Sequence, residues 1–140
     1  MKVAEWLEKH PRKLVTVRED CTLDQATSRI LSESCVKDIY VISEKNQILG
    51  HIPFIKLARL TLVEHSPFHT RSQILERVTS GCACDLMETH FASADPDEEV
   101  DDTLHRLLEH RIEDMPVIDE QGSLLGAINL LDVLAVKLGG

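Results

Sequence analysis

Aromatic side chains are scarce in this chain: one Trp, one Tyr and three Phe make up 4% of its 140 residues. A surface that stacks bases needs several of them, so stacking is not what organises the molecule. Long hydrophobic runs are missing as well. No apolar stretch approaches the roughly 18 residues of a bilayer span, and the opening MKVAEW lacks a signal peptide's apolar core. Direct membrane insertion is therefore not expected, and a cytoplasmic location is. Positive charge is in deficit, with 15 basic residues against 24 acidic ones and a formal charge of −9. Such a chain repels phosphate backbones, which argues against nucleic acid as a partner.

The CxxC spacing of zinc ribbons is also absent. Cys82 and Cys84 are CxC, Cys21 and Cys35 lie far away, and no matching Cys/His pair follows. Structural or reduced, inert cysteines and no metal site are expected. The acidic run over residues 95–102 lacks the glycine and ligand order of a calcium loop, and reads as first-turn acids complementing a helix dipole. No Ser/His/Asp order, phosphate-cradling glycine loop or paired acid stands out, so no catalytic residue and no enzyme activity are expected.

What the chain does contain is a repeat. Residues 38–50, DIYVISEKNQILG, are answered by residues 114–126, DMPVIDEQGSLLG. Asp38 recurs as Asp114 and Gly50 as Gly126, each 76 positions later. A unit of half the chain is too long for a solenoid repeat and suits a small domain built twice. A lobe of about 60 residues is marginal alone, so the copies are expected to share one body. The segments read as a first repeat over 1–65, a connector over 66–80 and a second repeat over 81–140.

Each copy reads as strand, helix, strand, strand, helix. Residues 14–17 form a short strand, and Thr22 and Gln25 have the spacing of a capping box. Leu23, Ala26, Thr27, Ile30 and Leu31 then fall on one helical face. Residues 39–42 and 48–52 form a hairpin about the turn 44–47, and Pro53 suits the first turn of the following helix. In the second copy, residues 92–94 give the short strand. Val100, Thr103, Leu104, Leu107 and Leu108 repeat the helical spacing, residues 115–119 and 124–128 form the hairpin, and a last helix starts at Asn129. Helix-forming lead-ins precede both copies, over 3–7 and 83–87. A short extra helix is expected over 71–78.

This pattern, with ACDLM at 83–87, MPVID at 115–119, the glycine turn and GAINLLD at 126–132, resembles the cystathionine-β-synthase (CBS) domain pair, or Bateman module. The resemblance covers nearly the whole chain and implies an α+β / α/β fold: two β-α-β-β-α repeats packed about a pseudo-twofold axis. It also implies two clefts between the repeats that in this family commonly take adenosine-containing ligands such as AMP, ATP or S-adenosylmethionine. An aspartate closing the Gly-x-x-Ser/Thr-x-x-Asp motif takes the ribose hydroxyls, since a carboxylate accepts from two adjacent donors.

Carried onto this chain, the resemblance separates the two copies. In the second, Asp132 keeps the acid, Asn129 stands where Ser or Thr is usual, and Ala127 is expected near the base. From the first copy come Val15, Val36 and Lys37, with Lys37 facing a phosphate. In the first motif, GHIPFIK over 50–56, Pro53 replaces the hydroxyl and Lys56 replaces the acid. A Lys56–Glu113 pair closing that cleft is as well supported as a ligand. Two domains with one nucleotide site are expected, no cofactor being required.

Two functions follow from the resemblance. One is a regulatory module that binds an adenosyl nucleotide and modulates an enzyme, channel or transporter in trans. The other is a ligand-free association module. Both imply a homodimer, for which the surplus apolar residues of the last helix (Leu130, Leu131, Val133, Leu134, Val136 and Leu138) supply an interface.

Overall fold

The computed structural model describes residues 1–33, 38–62 and 81–139. The expected connector over 66–80, with its extra helix over 71–78, lies outside the described residues. The chain is mixed α+β and condenses into two compact units. The first unit joins Met1–Lys13 to Ala92–Gly140, and the second is Leu14–Phe91. These units cut across the sequence repeat, because each unit takes the lead-in helix that precedes the other copy.

In the second unit, β1 (Val15–Arg18) runs parallel to β2 (Asp38–Ile42), which pairs antiparallel with β3 (Ile48–Pro53). Helix α2 (Leu23–Leu31) follows β1, and α3 (Phe54–Leu62) follows β3. The capping box is formed as expected. Thr22 Oγ1 accepts from the Gln25 N–H at 3.1 Å, and Gln25 Oε1 accepts from the Thr22 N–H at 3.0 Å. Leu23, Ala26 and Ile30 of α2 are buried. Val15, Val17, Ile39, Val41, Ile52 and Leu57 complete the core, together with Ala83 from the short helix α4 (Ala83–Leu86).

The first unit repeats this plan with α1 (Val3–Lys9), α5 (Val100–His110), β4 (Asp114–Ile118), β5 (Leu124–Asn129) and α6 (Leu130–Gly139). The strand expected over 92–94 shrinks to a single residue. Ala94 bridges Val117 in parallel, donating to the Pro116 carbonyl and accepting from the Ile118 N–H. Pro116 has no N–H of its own, but its carbonyl faces Ala94, so proline does not break the ladder. Trp6 and Val3 of α1 are buried against Leu107, Met115, Val117 and Ile128.

The two hairpins match in detail. Both slip register at the same point, after Val41 and after Val117. Both turns carry a left-handed residue at the same place, Asn46 (φ 63°) and Gly122 (φ 82°). Asn and Gly are the residues that tolerate this region, which is why the turn survives the substitution. Ser43 Oγ accepts the N–H groups of Lys45 and Gln47, and Asp119 Oδ1 accepts those of Gln121 and Ser123.

The acidic run at 95–102 is spent on structure. Glu98 accepts from the buried Thr103 hydroxyl at 2.6 Å and from Arg106 at 2.9 and 3.0 Å. Asp95 closes its own turn on the Asp97 N–H, and Glu99 pairs with the Met1 ammonium and with Lys2.

Each lead-in is sewn to its unit by the same backbone bonds. The Val3 N–H donates to Glu98 O and the Val100 N–H to Met1 O; the Ala83 N–H donates to Cys21 O and the Leu23 N–H to Gly81 O. Lys2 bridges Glu99 as Cys82 bridges Thr22. The lead-in then covers the hairpin glycine. A Cβ on Gly50 would lie 2.6–2.8 Å from Met87 Sδ, Cγ and Cβ, and one on Gly126 would lie 3.1 Å from Leu7 Cδ2. Gly50→Ala should therefore lower unfolding stability by about 1–3 kcal/mol through overpacking. Gly126→Ala should cost less, because the tip of Leu7 can yield. Urea midpoints would check this order, and adding Met87→Ala to Gly50→Ala should recover part of the loss.

Candidate functional site

The turn from hairpin to following helix is where the two copies differ chemically. In the first unit, Asn129 ends β5 and its Oδ1 accepts the Leu131 N–H at 2.8 Å, satisfying an open donor of α6. Its amide nitrogen donates to Asp114 Oδ1 at 3.3 Å, and the Leu130 N–H donates to the Glu113 carbonyl at 2.8 Å. Asn129 is thus an N-cap whose orientation Asp114 helps fix. In the second unit, Pro53 ends β3 rather than opening the helix, and has no side chain to cap with. Asp38, the counterpart of Asp114, accepts the Phe54 N–H directly at 3.2 Å. Each turn is served by the aspartate that opens its own hairpin, Asp114 through Asn129 and Asp38 alone.

Asp132 lies in the first turn of α6 with both oxygens engaged. Arg12 Nη1 donates to Oδ1 at 2.7 Å and to Oδ2 at 2.8 Å. The side chains are 20% exposed for Arg12 and 31% for Asp132. Charge-assisted donors this short hold the carboxylate in a chelating pose. At the matching position of the second unit, Lys56 of α3 pairs with Glu88 at 3.8 Å. Both links run from the helix after the hairpin to the chain just past the lead-in helix. The acid and the base have changed places.

Of the residues expected from sequence, the structure brings Asp132 and Asn129 together on the β5–α6 turn. Ala127 is buried on β5, paired with Pro116, and Val15 is buried on β1 of the second unit, paired with Ile39. Val36 and Lys37 lie outside the described residues. Sequence reasoning missed Arg12 and Glu88. Their signal was a charge next to each lead-in, but only a register between lead-in and opposite copy turns that into a pair. Within its own unit Lys56 makes an ion pair with Glu88.

Other polar groups cluster in the second unit. His51 stacks on Tyr40, meets the Phe91 ring edge-on and places Nε2 3.4 Å from Asp38. Cys21 is a free thiol, and burial, with Asp20 nearby, pushes its pKa up, which makes it a poor nucleophile. Cys82 and Cys84 form a disulfide, where structural or reduced cysteines were expected. No described helix is long and apolar enough to cross a membrane.

The sequence model of the CBS domain matches residues 83–139. No curated protein matches the chain by sequence. Among solved structures, it is similar to a CBS domain-containing protein from Thermotoga maritima at 27% identity and TM-score 0.75, covering 100% of this chain and 96% of that one. It is similar to CBSX2 in complex with AMP at 22% identity and TM-score 0.76, covering 99% and 96%. The cytosolic domain of the Mg2+ channel MgtE, in complex with ATP, matches at 22% identity and TM-score 0.66, covering 88% of this chain and 44% of that one.

The Arg12–Asp132 pair is partly solvated, so its coupling should be modest. A double-mutant cycle with Arg12→Ala and Asp132→Ala, read by chemical denaturation, should give about 0.5–1 kcal/mol. Additivity of the two losses would show that the pair contributes nothing to stability.

Proposed function

The chain is a tandem CBS-domain pair, and from that premise we propose that it is a regulatory module that senses an adenosyl nucleotide and acts on a partner in trans. The observation that carries this reading is the pose of Asp132, whose two oxygens converge on a single donor, Arg12 Nη1. With both oxygens turned to one side, the carboxylate can instead accept from two vicinal ribose hydroxyls, one to each oxygen. A ribose would take the place of Arg12 on the carboxylate, and the guanidinium beside it would meet a phosphate, which its planar donors suit. Asn129 stands beside the acid as a second polar group. Ala127, Val15, Val36 and Lys37 belong to the same reading, as the base-side and phosphate-side contacts. The AMP and ATP bound by CBSX2 and by the MgtE domain support the ligand class.

Occupancy regulates only if the ligand favours one arrangement of the protein over another. An effector in trans, an enzyme or transporter, would read that arrangement. The groups at these turns, a carboxylate, a carboxamide and a guanidinium, are suited to holding a polar ligand.

Melting curves with AMP, ADP, ATP, S-adenosylmethionine and adenosine test this. A working site stabilises by about 2.7 kcal/mol at a hundredfold excess over Kd. Asp132→Ala should abolish the shift for every ligand. Arg12→Ala should weaken AMP and ATP while sparing adenosine, which lacks the phosphate. An unchanged AMP shift in Asp132→Ala would overturn the assignment of the ribose to this acid.

One observation favours a ligand-free association module instead: both positions that would meet a ribose already have partners, Asp132 with Arg12 and Lys56 with Glu88. In either reading the chain is a homodimer. Leu131, Leu134, Val136 and Leu138 of α6 are exposed, more apolar surface than a solvated helix end needs. Light scattering should give twice the chain mass, and Leu134→Glu with Leu138→Glu should return a monomer. A wild-type monomer at high concentration would refute the dimer.

A further inference from the structure

The seam that joins α4 to the second unit carries chemistry that its counterpart in the first unit lacks. Cys82 precedes α4, Cys84 lies within it, and a disulfide joins them across one intervening residue. Counted from the matching lead-in, 80 residues earlier, the same positions hold Lys2 and Ala4. The first unit closes its seam with ion pairs from Met1 and Lys2 to Glu99. The second closes its own with sulfur.

We propose that Cys82 and Cys84 form a thiol–disulfide exchange site whose co-reactant is a small-molecule or protein thiol of the glutathione class. Cys84 is exposed and Cys82 half-buried, so a solvent thiolate reaches the Cys84 sulfur directly. A ring closed over a single intervening residue restricts the unfolded chain little. The oxidised form therefore gains less chain-entropy stabilisation than a long-range structural disulfide would. Exposure and weak stabilisation are the conditions under which disulfides exchange.

The step balances as follows. An external thiolate attacks Cys84 Sγ, a mixed disulfide forms there, and the Cys82–Cys84 bond breaks with its electron pair passing to Cys82 Sγ. A second external thiolate attacks the donor sulfur of the mixed disulfide, releasing Cys84. Two electrons come from the two donor thiols, which leave as their own disulfide, and two protons end on Cys82 and Cys84. Oxidation by the disulfide form of the same couple is the reverse.

Asp85 sets the rate. Its carboxylate oxygens lie 3.3 Å from Cys82 Sγ and 3.9 Å from Cys84 Sγ. A negative charge this close disfavours both the departing thiolate at Cys82 and the thiolates of the reduced pair. The carboxylate thus slows exchange at this site. Its oxidation state bears on the lead-in, because the Ala83 N–H donates to Cys21 O and the Cys84 N–H to Glu19 O across the same seam.

The test equilibrates the intact protein in glutathione buffers of graded ratio, quenches with acid, alkylates and digests with trypsin. Residues 78–106 form one fragment holding Cys82 and Cys84 and no other cysteine. Oxidised, that fragment should escape alkylation and weigh about 2 Da less than its dithiol form. Its population should titrate smoothly with the ratio. Asp85→Asn should speed both reduction and alkylation several-fold at fixed pH, with an unchanged circular dichroism spectrum. On reduction, amide exchange at Ala83 and Cys84 should accelerate several-fold. Both cysteines alkylating at every ratio, or either pairing with Cys21 or Cys35, would overturn the site. Equal rates in Asp85→Asn would overturn the role of the carboxylate. Cys84→Ser must abolish the mass difference while leaving nucleotide melting shifts as they are, so this result stands apart from the nucleotide reading.

Discussion

The structure depends on an exchange of lead-in helices. Each half of the chain has two or three short strands and two amphipathic helices, too little apolar surface to close a core by itself. The missing element arrives from the chain that precedes the other half. Trp6 and Val3 are buried in the unit built from residues 92–140, and Ala83 is buried in the unit built from residues 14–91. The hairpin glycines follow from this. Gly50 must be bare because Met87 lies on it, and Gly126 because Leu7 does. A glycine repeated at the same offset therefore marks a close approach by a distant segment, not a flexible turn. The unit Leu14–Phe91 is one continuous segment, whereas the other joins Met1–Lys13 to Ala92–Gly140 and cannot close until the chain has returned to it.

On this symmetric frame the charges are inverted. The helix after the hairpin is tied to the chain beyond the lead-in by Asp132 and Arg12 in one unit and by Lys56 and Glu88 in the other. An ion pair is indifferent to which end carries which sign, so the fold tolerates the swap. Ligand chemistry is not indifferent. A carboxylate can accept from ribose hydroxyls and an ammonium cannot. The same geometry thus separates a scaffold that is copied from a chemistry that is not. The seams diverge in the same way, with ion pairs at Glu99 in one and a disulfide beside Thr22 in the other.

Local signals were legible wherever the deciding partner is near in sequence. The capping box at Thr22 and Gln25 was readable because the two groups are three residues apart. Both hairpins were readable from β-branched runs about a turn, and the family from the motif over 115–132. The strand expected over 92–94 was over-read, because a three-residue alternation does not say how much of it a neighbour will pair. Of the candidate site, the position of Asn129 and Asp132 at the start of the last helix was readable, because the two are three residues apart. Their partners were not, since Arg12 lies 120 residues from Asp132.

The sequence by itself determined that the chain is one design written twice, which elements each copy holds, and where the polar ending of the motif is kept or lost. These are properties of spacing, and spacing is all that periodicity, caps and turns require. Only the tertiary structure decided which lead-in belongs to which core, which charge meets Asp132, and that Cys82 and Cys84 share a bond beside Asp85. Those outcomes rest on contacts a few ångströms long between distant segments, and they exist only once the apolar faces have packed.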